Sequence, residues 1–198
     1  MIKRSVLICV VAAGFSVLPM FGGAIAIDGA YHEFFFGTAG TGTEFAGSCG
    51  GTCTATTNPV AEQTSTSPWT FSGAANVFIL DLAHVADRFE LFDTLNGGSE
   101  LSKGLTSNPA NTGTDPVPCG FNIGCAAGNA LYSQGTFALG AGNHSIRIRV
   151  VQNALNTTQG NAVFSVSAPP SGVPEPATLS LLGAGLLGLS LLRRRKVN

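Results

Sequence analysis

Ser145–Val151 alternates without a break: Ile146, Ile148 and Val150 fall on one side, Ser145, Arg147 and Arg149 on the other. A period of two residues is the pattern of a strand with one face in a core and one in water. The same pattern, or an apolar run of strand length, recurs at Tyr31–Phe36, Val77–Leu82, Arg88–Phe92, Leu131–Tyr132 with Thr136–Leu139, and Ala162–Ser167. Gly, Asn, Thr and Pro fill the gaps, as in Asn96-Gly97-Gly98 and Gly140-Ala141-Gly142-Asn143. No helical periodicity of useful length occurs between residues 27 and 172. Short strands with glycine-rich turns predict an all-β domain, a jelly-roll-like β-sandwich. Residues 37–68 and 93–130 are low in apolar content and are expected to be long loops, where a site would lie.

The two ends follow a different physics. Lys3 and Arg4 precede an apolar stretch from Val6 to about Leu18, and then Ala24-Ile25-Ala26. This is the charged, hydrophobic and small-residue order of a secretory signal peptide over residues 1–26, with cleavage expected after Ala26 and the small residues Ala24 and Ala26 read by the peptidase. Cys9 lies within the apolar stretch rather than at the cleavage site, so lipidation is not indicated. At the other end, Ala177–Leu192 carries no charge. As a helix it spans about 24 Å, short of the roughly 30 Å hydrocarbon core, a deficit that snorkelling and local thinning absorb. Arg193, Arg194, Arg195 and Lys196 form a cytoplasmic stop within the basic tail 193–198 under the positive-inside rule. Ahead of this helix, Pro174 and Pro176 hold Val173 and Glu175 extended, so that Glu175 is displayed on a stiff segment suited to a protease groove.

The order Val173-Pro174-Glu175-Pro176, glycine-containing apolar helix, basic cluster closely resembles the PEP-CTERM sorting signal of Gram-negative bacteria. The resemblance covers only Val173–Lys196. It implies processing by an exosortase near Pro174–Pro176, an inner-membrane anchor before processing, and a final place at the cell surface or in a biofilm matrix. A second resemblance covers the domain. Trp69-Thr70-Phe71, Val85 through Asp93, Gly135-Thr136-Phe137-Ala138-Leu139 and Gly142 through Ile148 look like a recurrent β-sandwich ectodomain of PEP-CTERM proteins. That type often has glycine where this chain has Ala86, and no activity transfers with the resemblance.

The exported part, residues 27–172, holds four basic residues (Arg88, Lys103, Arg147, Arg149) against ten acidic ones, a net charge of −6 that the basic ends mask in the whole chain. Such a surface argues against nucleic acid and other polyanions, and leaves neutral sugars and cations open. Its cysteines are Cys49 and Cys53 in CGGTC and Cys119 and Cys125 in CGFNIGC. Four cysteines allow three pairings. The intervening glycines favour two local bridges. A zinc site is the rival, but neither spacing is a CxxC knuckle and an oxidising compartment favours disulfides.

Three chemistries bear on the domain. Asp81, Asp87, Glu90 and Asp93 are close enough in sequence to suggest Ca²⁺, yet no DxDxDG loop occurs, and solvated strand-end carboxylates are the plainer reading; no cofactor is otherwise indicated. The histidines are His32, His84 and His144, with no GxSxG elbow and no HExxH pair, so the domain is expected not to be an enzyme. Paired carboxylates distant in the chain would make the alternative, a secreted enzyme acting on extracellular polysaccharide. Trp69 is a candidate for stacking on a sugar ring, against a place in the core that its alternating context favours. Phe34-Phe35-Phe36 is read as core with one edge contact. The threonines of Thr52–Thr57 and Thr64–Thr66 fall in expected loops rather than on a flat ice-binding face. The expected function is therefore an exported surface or matrix protein, structural, adhesive or polysaccharide-associated.

Overall fold

The computed structural model describes residues 23–41, 45–49, 53, 55–109 and 117–170. The signal sequence before Gly23, the sorting motif Val173–Pro176, the segment 177–192 and the basic cluster Arg193–Lys196 lie outside the described residues. Among the described residues no helix is long and apolar enough to cross a membrane.

The described residues hold nine strands and one short helix, in order: β1 (Tyr31–Phe36), β2 (Glu62–Gln63), β3 (Trp69–Ser72), β4 (Ala75–Asp81), β5 (Arg88–Leu95), β6 (Glu100–Leu105), α1 (Ile123–Ala127), β7 (Gln134–Leu139), β8 (Asn143–Gln152) and β9 (Gly160–Ser167). They form two sheets, β2-β1-β9-β4-β7 and β3-β8-β5-β6. With the two-residue β2 set aside, the orders 1-9-4-7 and 3-8-5-6 are those of a jelly roll. The chain changes sheet at every step except the β5–β6 hairpin. All pairings are antiparallel apart from β1 with β2.

The inner faces meet in an aromatic core. Phe34, Phe36, Trp69, Phe89 and Phe164 are fully buried with Val77, Ile79, Leu91, Ile146, Ile148 and Val166. Trp69 lies 4.5 Å from the Phe164 ring and 6.0 Å from Phe34, and its Nε1 donates to the Ser65 carbonyl. The sugar-stacking role is thereby corrected. A residue of β3 that pairs with Ile146 points inward with it, so Trp69 offers no face to solvent.

The outer faces of the two sheets differ. That of the β1-β9-β4 region is roofed by connecting segments and α1, which bury Ala61, Leu80, Leu82, Val85, Ile123, Ala126, Tyr132 and Val163 in a second cluster. This explains why Val77–Leu80 reads as a continuous apolar run: both faces of β4 are covered. Among the described residues, the outer face of β3-β8-β5-β6 lacks such a roof.

The expected loops hold more structure than their composition suggests. Residues 37–68 contain β2, and residues 93–130 contain β6, the end of β5 and α1. β6 was hidden because it is an edge strand, largely exposed, with a register shift against Leu91/Phe92 that breaks its alternation. α1 is five residues long and starts at Asn122, whose Oδ1 accepts from the Cys125 N–H at 2.9 Å. The local pairing of cysteines is present: Cys49 with Cys53 and Cys119 with Cys125, with Cα atoms 5.1 and 5.5 Å apart. Thr56 and Thr64 are buried and hydrogen-bonded, to the Ala61 N–H and the Glu33 carbonyl, rather than arrayed on a flat surface.

Ala86 stands in the left-handed region at φ 77°, as does Ala83 at φ 63°, in the turn between β4 and β5. A side chain there costs about 1–2 kcal/mol, which glycine escapes. Ala86→Gly is therefore expected to stabilise the domain by about 1 kcal/mol, read as a higher urea midpoint at unchanged slope.

Candidate functional site

Pairing registers decide which side chains share the unroofed face. Glu90 lies opposite Arg149, Phe92 opposite Arg147, Thr94 opposite Ser145, and Thr70 opposite Ser145 from the other side. β6 adds Leu105 beside Glu90, Ser102 beside Phe92 and Glu100 beside Thr94. Phe45 joins by bridging to Arg149, while Gly47 bridges to Phe35 of the other sheet, so this segment fastens one edge of the sandwich.

The result is a lattice of alternating rings and guanidinium groups. Arg147 lies over the Phe45 ring at 3.6 Å, Arg149 over Phe92 at 4.9 Å, and the two rings are 6.3 Å apart. Such contacts hold a guanidinium plane flat while its N–H groups remain donors at the edge. Glu90 accepts from Arg149 and from Ser102, the latter at 2.6 Å, and Glu100 lies 3.4 Å from Arg147. Burial pushes the Glu90 carboxyl up, but the hydrogen bonds from Ser102 and Arg149 and the arginine's charge outweigh it, leaving the group below the ordinary carboxylate range. The patch pairs its own charges. It adjoins a shallow groove of about 460 Å³ lined by Thr70, Ser72, Thr94, Asn143 and Ser145, with Ala24 and Ile25 along one wall.

Ala24 and Ile25 belong to the expected signal peptide. Here the Ile25 N–H donates to the Thr70 carbonyl and the Thr70 N–H to Gly23, while Ile25 packs against the core. Cleavage after Ala26 would remove this segment, open the β3 edge at Thr70 and widen the groove.

The other candidate residues are dispersed. His144 is buried at the end of the sandwich, its Nδ1 3.1 Å from both Asp93 oxygens, its Nε2 2.9 Å from the Gly140 carbonyl, and its ring stacked on Phe71 at 5.0 Å. Both nitrogens are thus engaged with oxygen acceptors, an arrangement suited to structure rather than to taking a proton from a nucleophile. His32 on β1 pairs with Glu62 at 3.7 Å; burial lowers its pKa, opposed by Glu62 and Asp28. His84 lies in the β4–β5 turn.

Asp81, Asp87, Glu90 and Asp93 divide among three hydrogen-bond sets. Asp81 accepts from the Asp87 N–H at 3.2 Å, and Asp87 accepts from the Ala154 N–H at 2.6 Å, so these two brace the β4–β5 turn and the β8–β9 connection. Burial, and then the charge of Asp87, push the Asp81 carboxyl well up, against N–H groups of Asp87, Leu82 and Ser133 that pull it down. Glu90 is committed to the lattice, and Asp93 to His144 and to Lys103 at 3.4 Å.

The lattice escaped the sequence reading because Phe45 falls in an expected loop and Arg147 and Arg149 read only as the wet side of a strand. The two sheets and the paired charges on the outer face of one of them define a β-sandwich module. The family comparison supplies the rest: the PEP-CTERM protein-sorting motif matches residues 172–196. The chain is thus sorted by the exosortase system, exported as a precursor anchored in the membrane by its C-terminus. Among curated proteins, no sequence matches it.

Proposed function

We propose that the domain, once exported and processed, is a non-enzymatic module of the cell surface or biofilm matrix that adheres to neutral polysaccharide through the outer face of β3-β8-β5-β6. The Phe45–Arg147 and Phe92–Arg149 lattice carries this reading. Apolar ring surface suits the C–H faces of a pyranose, guanidinium edges donate to its hydroxyls, and the hydroxyl- and amide-lined groove continues the polar strip. The face is charge-balanced within a domain of net charge −6, which favours neutral chains over anionic ones.

Affinity electrophoresis through gels containing a neutral glucan, alginate or no polymer tests it. The glucan is expected to retard the protein and alginate is not. The double substitution Phe92→Ala with Arg147→Ala should weaken retardation by at least about tenfold, about 1.4 kcal/mol, while circular dichroism remains unchanged. Undiminished retardation of a folded variant would refute the assignment. Release of reducing ends from the glucan would instead establish a secreted polysaccharide-degrading enzyme.

A further inference from the structure

Away from that face, β1 brings a buried acid to one of the disulfides. Glu33 is almost completely buried, and one of its carboxyl oxygens lies within 4.8 Å of the sulfurs of both Cys49 and Cys53. The two sulfurs are unequal: Cys49 is fully buried and Cys53 is partly exposed. Asn161 Nδ2 donates to Glu33 Oε1 at 3.0 Å, and the Cys49 sulfur lies 3.4 Å from the Glu33 carbonyl, an acceptor for a Cys49 thiol.

We propose that Cys49–Cys53 is an exchangeable disulfide, attacked by an external thiolate at Cys53, with Glu33 delivering the proton to the departing Cys49. An accessible sulfur beside a buried partner directs attack, and exchange accelerates when the leaving sulfur departs as a thiol rather than an anion. The attacking thiolate bonds to Cys53 Sγ as the Sγ–Sγ bond breaks. The electron pair leaves on Cys49 Sγ, which takes the Glu33 proton. A second thiolate then attacks the mixed disulfide at the external sulfur and displaces the Cys53 thiolate, which is protonated by water. Two low-molecular-weight thiols are thereby oxidised to one disulfide and the domain's pair is reduced by two electrons. The reverse sequence oxidises a dithiol.

The surroundings leave Glu33 able to serve as this acid. Burial raises its carboxyl above the ordinary range, and the Asn161 hydrogen bond opposes the shift. Gln63 lies opposite on β2 and Asn161 on β9, both uncharged, while the titratable neighbours His32 and Glu62 pair with one another. The other disulfide is an internal control: among the described residues, Cys119 and Cys125 share no such cluster with a carboxylate.

The test treats the exported protein with reduced glutathione from pH 5 to pH 9, traps free thiols with iodoacetamide and quantifies each cysteine by peptide mass spectrometry. Glutathione is expected on Cys53 rather than Cys49. The opening rate of Cys49–Cys53, expressed per glutathione thiolate, should fall at least about tenfold as Glu33 ionises with rising pH, because the proton donor is lost. That of Cys119–Cys125 should stay flat. Glu33→Gln should be slow and flat throughout. Adduct on Cys49, or the same per-thiolate profile at both disulfides of the wild-type chain, would overturn the proposal, and the wild-type comparison decides even where the variant does not fold.

Discussion

Replacing His144 by alanine is expected to remove about 3–5 kcal/mol of stability, the cost of leaving a buried charge without its partner. Asp93 is 1% exposed, and His144 meets both of its oxygens while its other nitrogen is held by the Gly140 carbonyl. Lys103 reaches Asp93 at 3.4 Å from the bulged stretch of β6 and stays in place in this variant, which puts the expected loss toward the lower end of that range. The loss should appear as a fall in the urea midpoint. Adding Asp93→Asn to His144→Ala should recover part of it, because the stranded charge is then gone. A single substitution costing under about 1 kcal/mol would show that the pair is not the keystone of this end of the sandwich.

Trp69→Ala should cost a comparable amount, about 3–5 kcal/mol, for a different reason. The indole fills the space between β3 and the rings of Phe34 and Phe164, and its N–H is satisfied by the Ser65 carbonyl. Truncation leaves a cavity whose lining belongs to both sheets and cannot collapse without moving one against the other. Trp69→Phe retains much of the volume and should lose less. Domains of this size are stable by about 5–15 kcal/mol, so either alanine variant puts folding at risk and denaturation is best followed at low temperature. If Trp69→Ala left stability unchanged and abolished polysaccharide retardation, the indole would have to be exposed after all.

Much of the architecture was legible because alternation is a local signal. β1 was delimited to the residue, and β4, β5, β8 and β9 were located within a few residues of their ends. Failures have identifiable causes. In Glu100–Leu105, Ser102 and Glu100 turn outward beside Phe92 and Thr94, while Gly104 is the residue placed opposite Leu91; an exposed, bulged edge strand carries no buried stripe to detect. Leu131 and Tyr132 read as part of a strand, yet Tyr132 serves the second core, its hydroxyl donating to the Ala83 carbonyl and accepting from the Cys119 N–H. The turn geometry at Ala86 could not be read from the sequence; its backbone has a positive φ, a conformation that glycine adopts without strain.

The sequence by itself determined the all-β class, the acidic character of the exported part and the sorting tail, and it favoured, without deciding, the local disulfide pairs that the structure holds. All of these depend on neighbours in the chain. Only the tertiary structure decided that Trp69 is interior, that Asp93 and His144 form a buried pair, that Glu33 stands beside Cys49 and Cys53, and that one sheet face is roofed while the other displays Phe45, Phe92, Arg147 and Arg149. Those outcomes depend on strand register and on where connecting segments come to rest. Both are set by contacts between residues far apart in the chain, which no local period records.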